Sequence, residues 1–306
     1  MRIKAVLALA ISAPSLVAAS QPLQLQPSSK WVLDYAENSC RLVRLFGEGD
    51  NQTTLALESE APGEMDMLVF GRPLSTFEEQ VPARFVPVQA KPVMGRPARA
   101  TDKGEPAVLF MRVDFASEKF IAAAQKEADD RKAHPGERPP PLNLAAEAMM
   151  KADRQDFASK VRGLEVDARP GRPVILETGS LAEPLAMFDK CSRDSLRDWG
   201  VDPALEDKIV RPVWAPEPPW KWFSSNDYPR DMAVRREESV VKARLLVDAT
   251  GRVTKCTSLS HFKEAEFNQI VCKSFMRRGH FEPAELADGT KVPSYYVSRV
   301  VFRMAP

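Results

Sequence analysis

Four cysteines and three histidines are the side chains of this 306-residue sequence best suited to chemistry beyond packing. The cysteines are Cys40, Cys191, Cys256 and Cys272, and the histidines are His134, His261 and His280. A metal site needs several of these groups close together, and closely spaced pairs such as CxxC are its usual sequence sign. No CxxC occurs and the histidines are scattered, so no metal is expected. An even cysteine count suits disulfides instead, provided the chain reaches an oxidising compartment.

The first 19 residues supply that route. Arg2 and Lys4 form a positive start, residues 5–17 are an apolar run broken by Pro14, and Val17, Ala18 and Ala19 are small. This reads as a secretory signal with cleavage after Ala19. The run is shorter than the roughly 20 residues a span requires, and no later run is long enough. The expectation is a periplasmic or secreted protein with no membrane span once the signal is cleaved. Four cysteines allow three pairings. Keeping each bridge inside one proposed domain favours Cys40 with Cys191 and Cys256 with Cys272.

Hydrolytic chemistry would need a nucleophile, a base and an orienting group. The candidates are Ser258 or Ser260 with His261 or His280. No nucleophile elbow, paired-carboxylate motif or phosphate loop accompanies them. A non-catalytic protein without a cofactor is the expectation, with a periplasmic hydrolase as the weakest alternative. The triplet Asn51-Gln52-Thr53 matches a glycosylation sequon, but a charged turn explains it equally well. Net charge is +1, from 43 basic and 42 acidic residues. That balance excludes a general nucleic-acid binder, which carries a basic excess.

The elements that would position these residues fall into two domains of an α+β protein. Residues 20–205 read as an antiparallel β-rich domain, with strands near 31–35, 40–46, 53–57, 67–70, 108–115 and 174–177, separated by Gly and Pro breakers. A helical insertion occupies about 116–165. One helix ends near His134, four prolines and a glycine follow in 135–141, and a second helix spans about 142–162 with Ala146, Met149, Met150 and Phe157 on its apolar side. A third helix starts at a capping box, Ser180 with Glu183, carries Leu185, Phe188, Cys191 and Leu196, and ends at Gly200. Residues 206–223, with tryptophans among prolines, read as an extended linker.

The last stretch, 224–306, is a ββαβ pattern. Strands are expected at 240–247 and 253–259, joined by the turn Asp248-Ala-Thr-Gly251, with a helix over 263–278 closed by Gly279. Asp288-Gly289 makes a second turn, and 295–303 alternates, with Tyr296, Ser298, Val300 and Phe302 on one face. A helix with one apolar stripe needs one apolar sheet face. A bridge between Cys256 and Cys272 would pin that helix to the sheet.

These motifs resemble the C-terminal domain of the TonB energy-transducer family. The matching pieces are Asp248-Ala-Thr-Gly251-Arg-Val253, the 263–278 helix, Phe281-Glu-Pro283-Ala284, Asp288-Gly289, the final strand and the entry Tyr228-Pro229. The resemblance covers 224–306 only. It implies a protein-binding module in the cell envelope, acting in envelope interactions or transport, with an outer-membrane receptor or another periplasmic protein as partner. It further implies binding by strand addition at a sheet edge, and the strand offered is the last one, through Tyr295, Tyr296, Val297, Arg299 and Val301. The alternative is that this edge is covered by the first domain or by a second copy in a homodimer. A TonB protein keeps an uncleaved membrane anchor and a long Pro-rich spacer. Here the N-terminal segment reads as cleavable and a folded domain replaces the spacer, so a membrane-anchored energy transducer for outer-membrane transport is the second reading.

Overall fold

The computed structural model describes residues 21–304, apart from 37, 135, 170–171 and 260–264, and leaves the Trp220 side chain undescribed. The signal segment 1–19, Ser260, His261 and the first residues of the expected 263–278 helix lie outside the described residues.

Two hydrophobic cores organise the chain. The N-terminal unit runs in order through β1 (Leu23–Leu25), β2 (Val32–Tyr35), β3 (Cys40–Phe46), β4 (Thr53–Ser59), β5 (Asp66–Phe70), β6 (Val81–Val86), β7 (Val93–Ala100) and β8 (Glu105–Phe110). The helices α1 (Glu118–Ala133) and α2 (Leu144–Lys160) follow, then β9 (Gly163–Val166), β10 (Val174–Leu176), α3 (Ala182–Trp199) and the short α4 (Pro203–Glu206). The strands form one ten-stranded sheet ordered β1-β10-β9-β6-β7-β8-β5-β4-β3-β2. All its pairs are antiparallel except β1 with β10. The sheet curls until its ends meet. After pairing with β10, the chain leaving β1 runs along β3, where Ser28 N–H donates to the Leu45 carbonyl and Gly47 N–H to that of Gln26. Phe46, Phe85, Phe110, Leu57 and Met67 fill the inside.

Strand β7 was hidden in the sequence by its own breakers, Gly95 and Pro97. A Cβ at Gly95 would lie 2.6 Å from the Phe110 ring, so glycine is what lets that ring cross the strand. From Arg96 onward β7 pairs with β8 alone, which leaves Pro97 on a free edge where its missing N–H costs little. The third helix starts at Ala182 rather than from a Ser180–Glu183 capping box. Among the described residues Ser180 Oγ accepts only from Ala182 N–H, at 3.3 Å. Gly200 closes it in the left-handed region at φ 84°.

The helical insertion, whose packing the sequence leaves open, lies mostly exposed. No residue of α1 is buried, and α2 buries only Phe157 and Ala158. Met149 is 61% exposed, and Met150 is exposed too, so neither fills a core. The two methionines sit in the outer turns of α2, before the helix reaches the sheet.

The C-terminal unit begins earlier than the sequence suggests. The expected extended linker, 206–223, is built into it. It contributes β11 (Ile209–Arg211), a two-bond bridge between Trp214 and Glu282, and a helical turn that buries Trp222 against Phe275 and Phe281. The prolines fix the bends, while the aromatic area drives burial. Next come α5 (Arg230–Val234), β12 (Ser239–Val247), β13 (Val253–Ser258), α6 (Ala265–Arg278), β14 (Ala284–Leu286), β15 (Lys291–Val292) and β16 (Ser294–Phe302). Two three-stranded antiparallel sheets result, ordered β13-β12-β16 and β11-β14-β15. Phe267, Val271 and Phe275 of α6 lie on one face of the first sheet, with Phe302, Tyr228 and Phe281 around them. The turn after β12 needs its glycine. Gly251 has φ 85°, and a Cβ there would sit 1.9 Å from the Phe281 carbonyl oxygen. Gly279 ends α6 differently, with no left-handed φ; a Cβ would press to 2.6 Å from the Phe275 carbonyl.

Cys40 bridges Cys191, and Cys256 bridges Cys272, over sequence separations of 151 and 16. The first ties α3 to the start of β3, the second ties α6 to β13. Loop-closure entropy gives about 5 and about 3 kcal/mol respectively. Urea unfolding of the Cys40→Ser/Cys191→Ser and Cys256→Ser/Cys272→Ser pairs checks this. The first pair is expected to lose more stability, and the reverse order would contradict the loop-length account.

Candidate functional site

The candidate site is the sheet β13-β12-β16, and three of its surfaces need separate accounts: the helix face, the opposite face and the outer edge. Alternation along β12 assigns the faces. Val241, Ala243, Leu245 and Val247 are buried toward α6. Val240, Lys242, Arg244 and Leu246 therefore point the other way. Their partners on β16 are Val301, Arg299, Val297 and Tyr295.

That second face lies on the N-terminal unit. Arg244 is 4% exposed. Its guanidinium stacks 3.6 Å from the Trp199 ring centroid. Its Nη1 donates to the Glu60 carbonyl at 3.0 Å and the Asn38 carbonyl at 3.3 Å, and its Nη2 donates to Asn38 Oδ1 at 3.3 Å. Burial pushes the guanidinium down to about 10, still far above neutral pH, so the charge remains. Lys242 Nζ pairs with Glu60 and Glu64, the latter at 3.1 Å, and stands 3.9 Å from Asp66. Burial alone would push Lys242 down, but its carboxylate partners hold it above the ordinary lysine value. Burial pushes Glu60 up, against the pull of Lys242. Tyr295 packs edge-on to Trp199 at 5.5 Å and donates to the Pro62 carbonyl at 3.4 Å. Burial raises its hydroxyl well above the usual phenol range. Ser294 Oγ donates to Glu206 at 2.7 Å.

The first disulfide shapes this receptor. Cys40 follows Asn38 by two residues, and Cys191 sits two turns before Trp199 on α3. One bridge thus places both a carbonyl pair and an aromatic ring for Arg244.

The outer edge of β16 follows from the ladder. Lys242 turns its carbonyl toward β13, where it accepts from Leu259 N–H at 2.8 Å. Backbone groups of a central strand alternate between neighbours, so Ala243 and Leu245 bond to their β16 partners Ser298 and Tyr296. The backbone groups of Tyr295, Val297, Arg299 and Val301 then face away from β12. Among the described residues none of these four has a backbone partner on that side. Val301 is 48% exposed, and Arg299 Nη1 reaches Met111 Sδ at 3.3 Å. Tyr296 departs from its expected place on the edge. Its backbone faces β12 and its ring lies in the helix-side core, 4.9 Å from Phe281, because it has the opposite strand parity.

Of the hydrolytic candidates, the two described ones, Ser258 and His280, do not converge. His280 is exposed and bridges Arg252 through backbone, while Ser258 lies six residues further along β13, roughly 20 Å for extended chain. Ser258 Oγ is buried, with no hydrogen-bond partner among the described residues. Among the described residues no group of three His, Cys, Asp or Glu side chains is placed to hold a metal ion, and no helix is long and apolar enough to cross a membrane.

Removing one member of a buried charged contact typically costs about 3–5 kcal/mol, because its partners stay buried. Arg244→Ala is expected to destabilise by about 3 kcal/mol in urea unfolding. A loss below about 0.5 kcal/mol would show that the contact is solvated. Lys242→Met removes the cation that pulls the Glu60 carboxyl down against its burial, so that carboxyl rises further above its unfolded value. Such a group favours the fold below the carboxylate range and disfavours it as pH rises through its folded value. The melting-temperature deficit of Lys242→Met should therefore be small near pH ~4 and largest above pH ~7. A pH-independent deficit would contradict the cluster.

None of the curated proteins matches the chain. The matching family is a non-catalytic domain of envelope energy transduction and protein interaction. Residues 224–304, one segment of this chain, match the family described as the Gram-negative bacterial TonB protein C-terminal.

Proposed function

We propose that this is an exported, non-catalytic binding protein of the Gram-negative envelope. Its C-terminal unit takes an extended peptide from a protein partner, such as an outer-membrane receptor, onto the outer edge of β16. The observation that carries this reading is the row of outward backbone groups on Tyr295, Val297, Arg299 and Val301, unpaired among the described residues. An added strand would satisfy all four and extend the sheet. Val301, about half exposed, offers apolar contact to its side chains. The two disulfides support an oxidising compartment.

The transducer alternative needs the C-terminal unit to move at the end of a long spacer. The buried Arg244 and Lys242 contacts, and the incorporation of 206–223 into the second core, favour a unit held on its neighbour. A scaffold or adaptor fits that arrangement better than a reaching arm.

A photo-crosslinking residue at position 301 of the full chain, in intact cells, tests the edge. Crosslinks to a defined envelope protein are expected, and Val297→Pro should abolish them. That change removes an outward N–H and no ladder bond, so the protein should still fold. Unchanged crosslinks in Val297→Pro would rule out strand addition here.

A further inference from the structure

The C-terminal unit has a second edge, β11, and a proline-rich segment of the chain's own helical insertion already lies on it. β11 pairs with β14 through Ile209 and Arg211, with a register shift between them. The bulge turns the Val210 carbonyl outward, where it accepts from Leu142 N–H at 2.6 Å. Arg211 Nη1 donates to the Pro139 carbonyl at 3.2 Å. Arg138 anchors the other end. Its Nη2 donates to the Pro283 carbonyl at 2.9 Å, and its Nη1 pairs with Glu282 at 2.9 Å and Glu285 at 3.2 Å. Its side chain is only 18% exposed.

The segment is therefore held as a bound peptide is held, by backbone bonds and one charged anchor. It is not held by a core. None of residues 136–152 is buried, and neither is any residue of α1 before it. A stretch with so little apolar burial opens at low free energy.

We propose that the β11–β14 edge is a receptor for an extended, basic, proline-rich peptide of another protein, occupied in cis by residues 138–142. Glu282 and Glu285 select an arginine, and the outward Val210 carbonyl and Arg211 guanidinium read the backbone that follows. Prolines suit this register because they hold the chain extended and lose little entropy on binding. The tethered segment acts at an effective concentration on the order of millimolar, so an external peptide meets a competitor that is always present. Weakening the anchor exposes the site.

The test uses the full chain and a fluorescent peptide of residues 136–143, Gly-Glu-Arg-Pro-Pro-Pro-Leu-Asn. Binding to Arg138→Ala is expected to be at least about ten-fold tighter than to the unaltered chain. It should be lost when alanine replaces the peptide's arginine, or in Arg138→Ala/Glu282→Gln/Glu285→Gln. Thermal melting of each variant establishes that it is folded. A folded Arg138→Ala that binds no tighter than the unaltered chain would overturn the proposal, as would binding indifferent to the two glutamates. Concentration-dependent dimerisation of Arg138→Ala without peptide capture would overturn it too, assigning the edge to a second copy.

Discussion

The arrangement of this protein depends on two cations buried in the middle of one β-strand. Arg244 and Lys242 stand on the face of β12 turned away from the helix, where a three-stranded sheet would otherwise meet water. A buried guanidinium is costly unless its donors are satisfied. Here three hydrogen bonds and the Trp199 ring meet that demand, and all of these partners belong to the N-terminal unit. The contact is specific as well as stabilising, since few other placements of the two units could serve both cations at once.

This constraint determines which parts of the C-terminal sheet can act. One face belongs to α6 and the aromatic cluster, and the other is taken up largely by the N-terminal unit. What remains is the sheet's edges, and on that of β16 the outward groups alternate with those engaged by β12. Edges of this kind are usually blocked. Arg299 and the half-buried Tyr295 and Val297 limit this one without pairing its backbone. The segment matching the TonB C-terminal family thus keeps its sheet and helix while being held against a larger β unit.

Much of the C-terminal unit was legible because local signals agreed there. Strand alternation, the Gly251 turn and the apolar stripe of Phe267, Val271 and Phe275 all pointed to one sheet and one helix. The role of the two cations on β12 was not legible. Nothing local distinguishes a solvated Lys242 from one facing Glu60 and Glu64, which lie about 180 positions away. The linker was misread for a related reason. Its prolines are local signals, but the burial of Trp222 depends on Phe275 and Phe281 folding above it. In the N-terminal unit, strand β7 was lost because Gly95 and Pro97 read as breakers until the Phe110 ring is in place. The last strand was legible as a strand, but which of its residues turn outward was not, since parity follows from the pairing of β12 with β13.

Hydrogen exchange resolved to single amides along β16 tests the central claim most directly. An open edge beside a docked face predicts alternation. Tyr296, Ser298 and Val300 amides should be strongly protected, and those of Val297, Arg299 and Val301 should exchange much faster. Uniform protection along the strand would show that another segment already covers the edge, and would contradict the account.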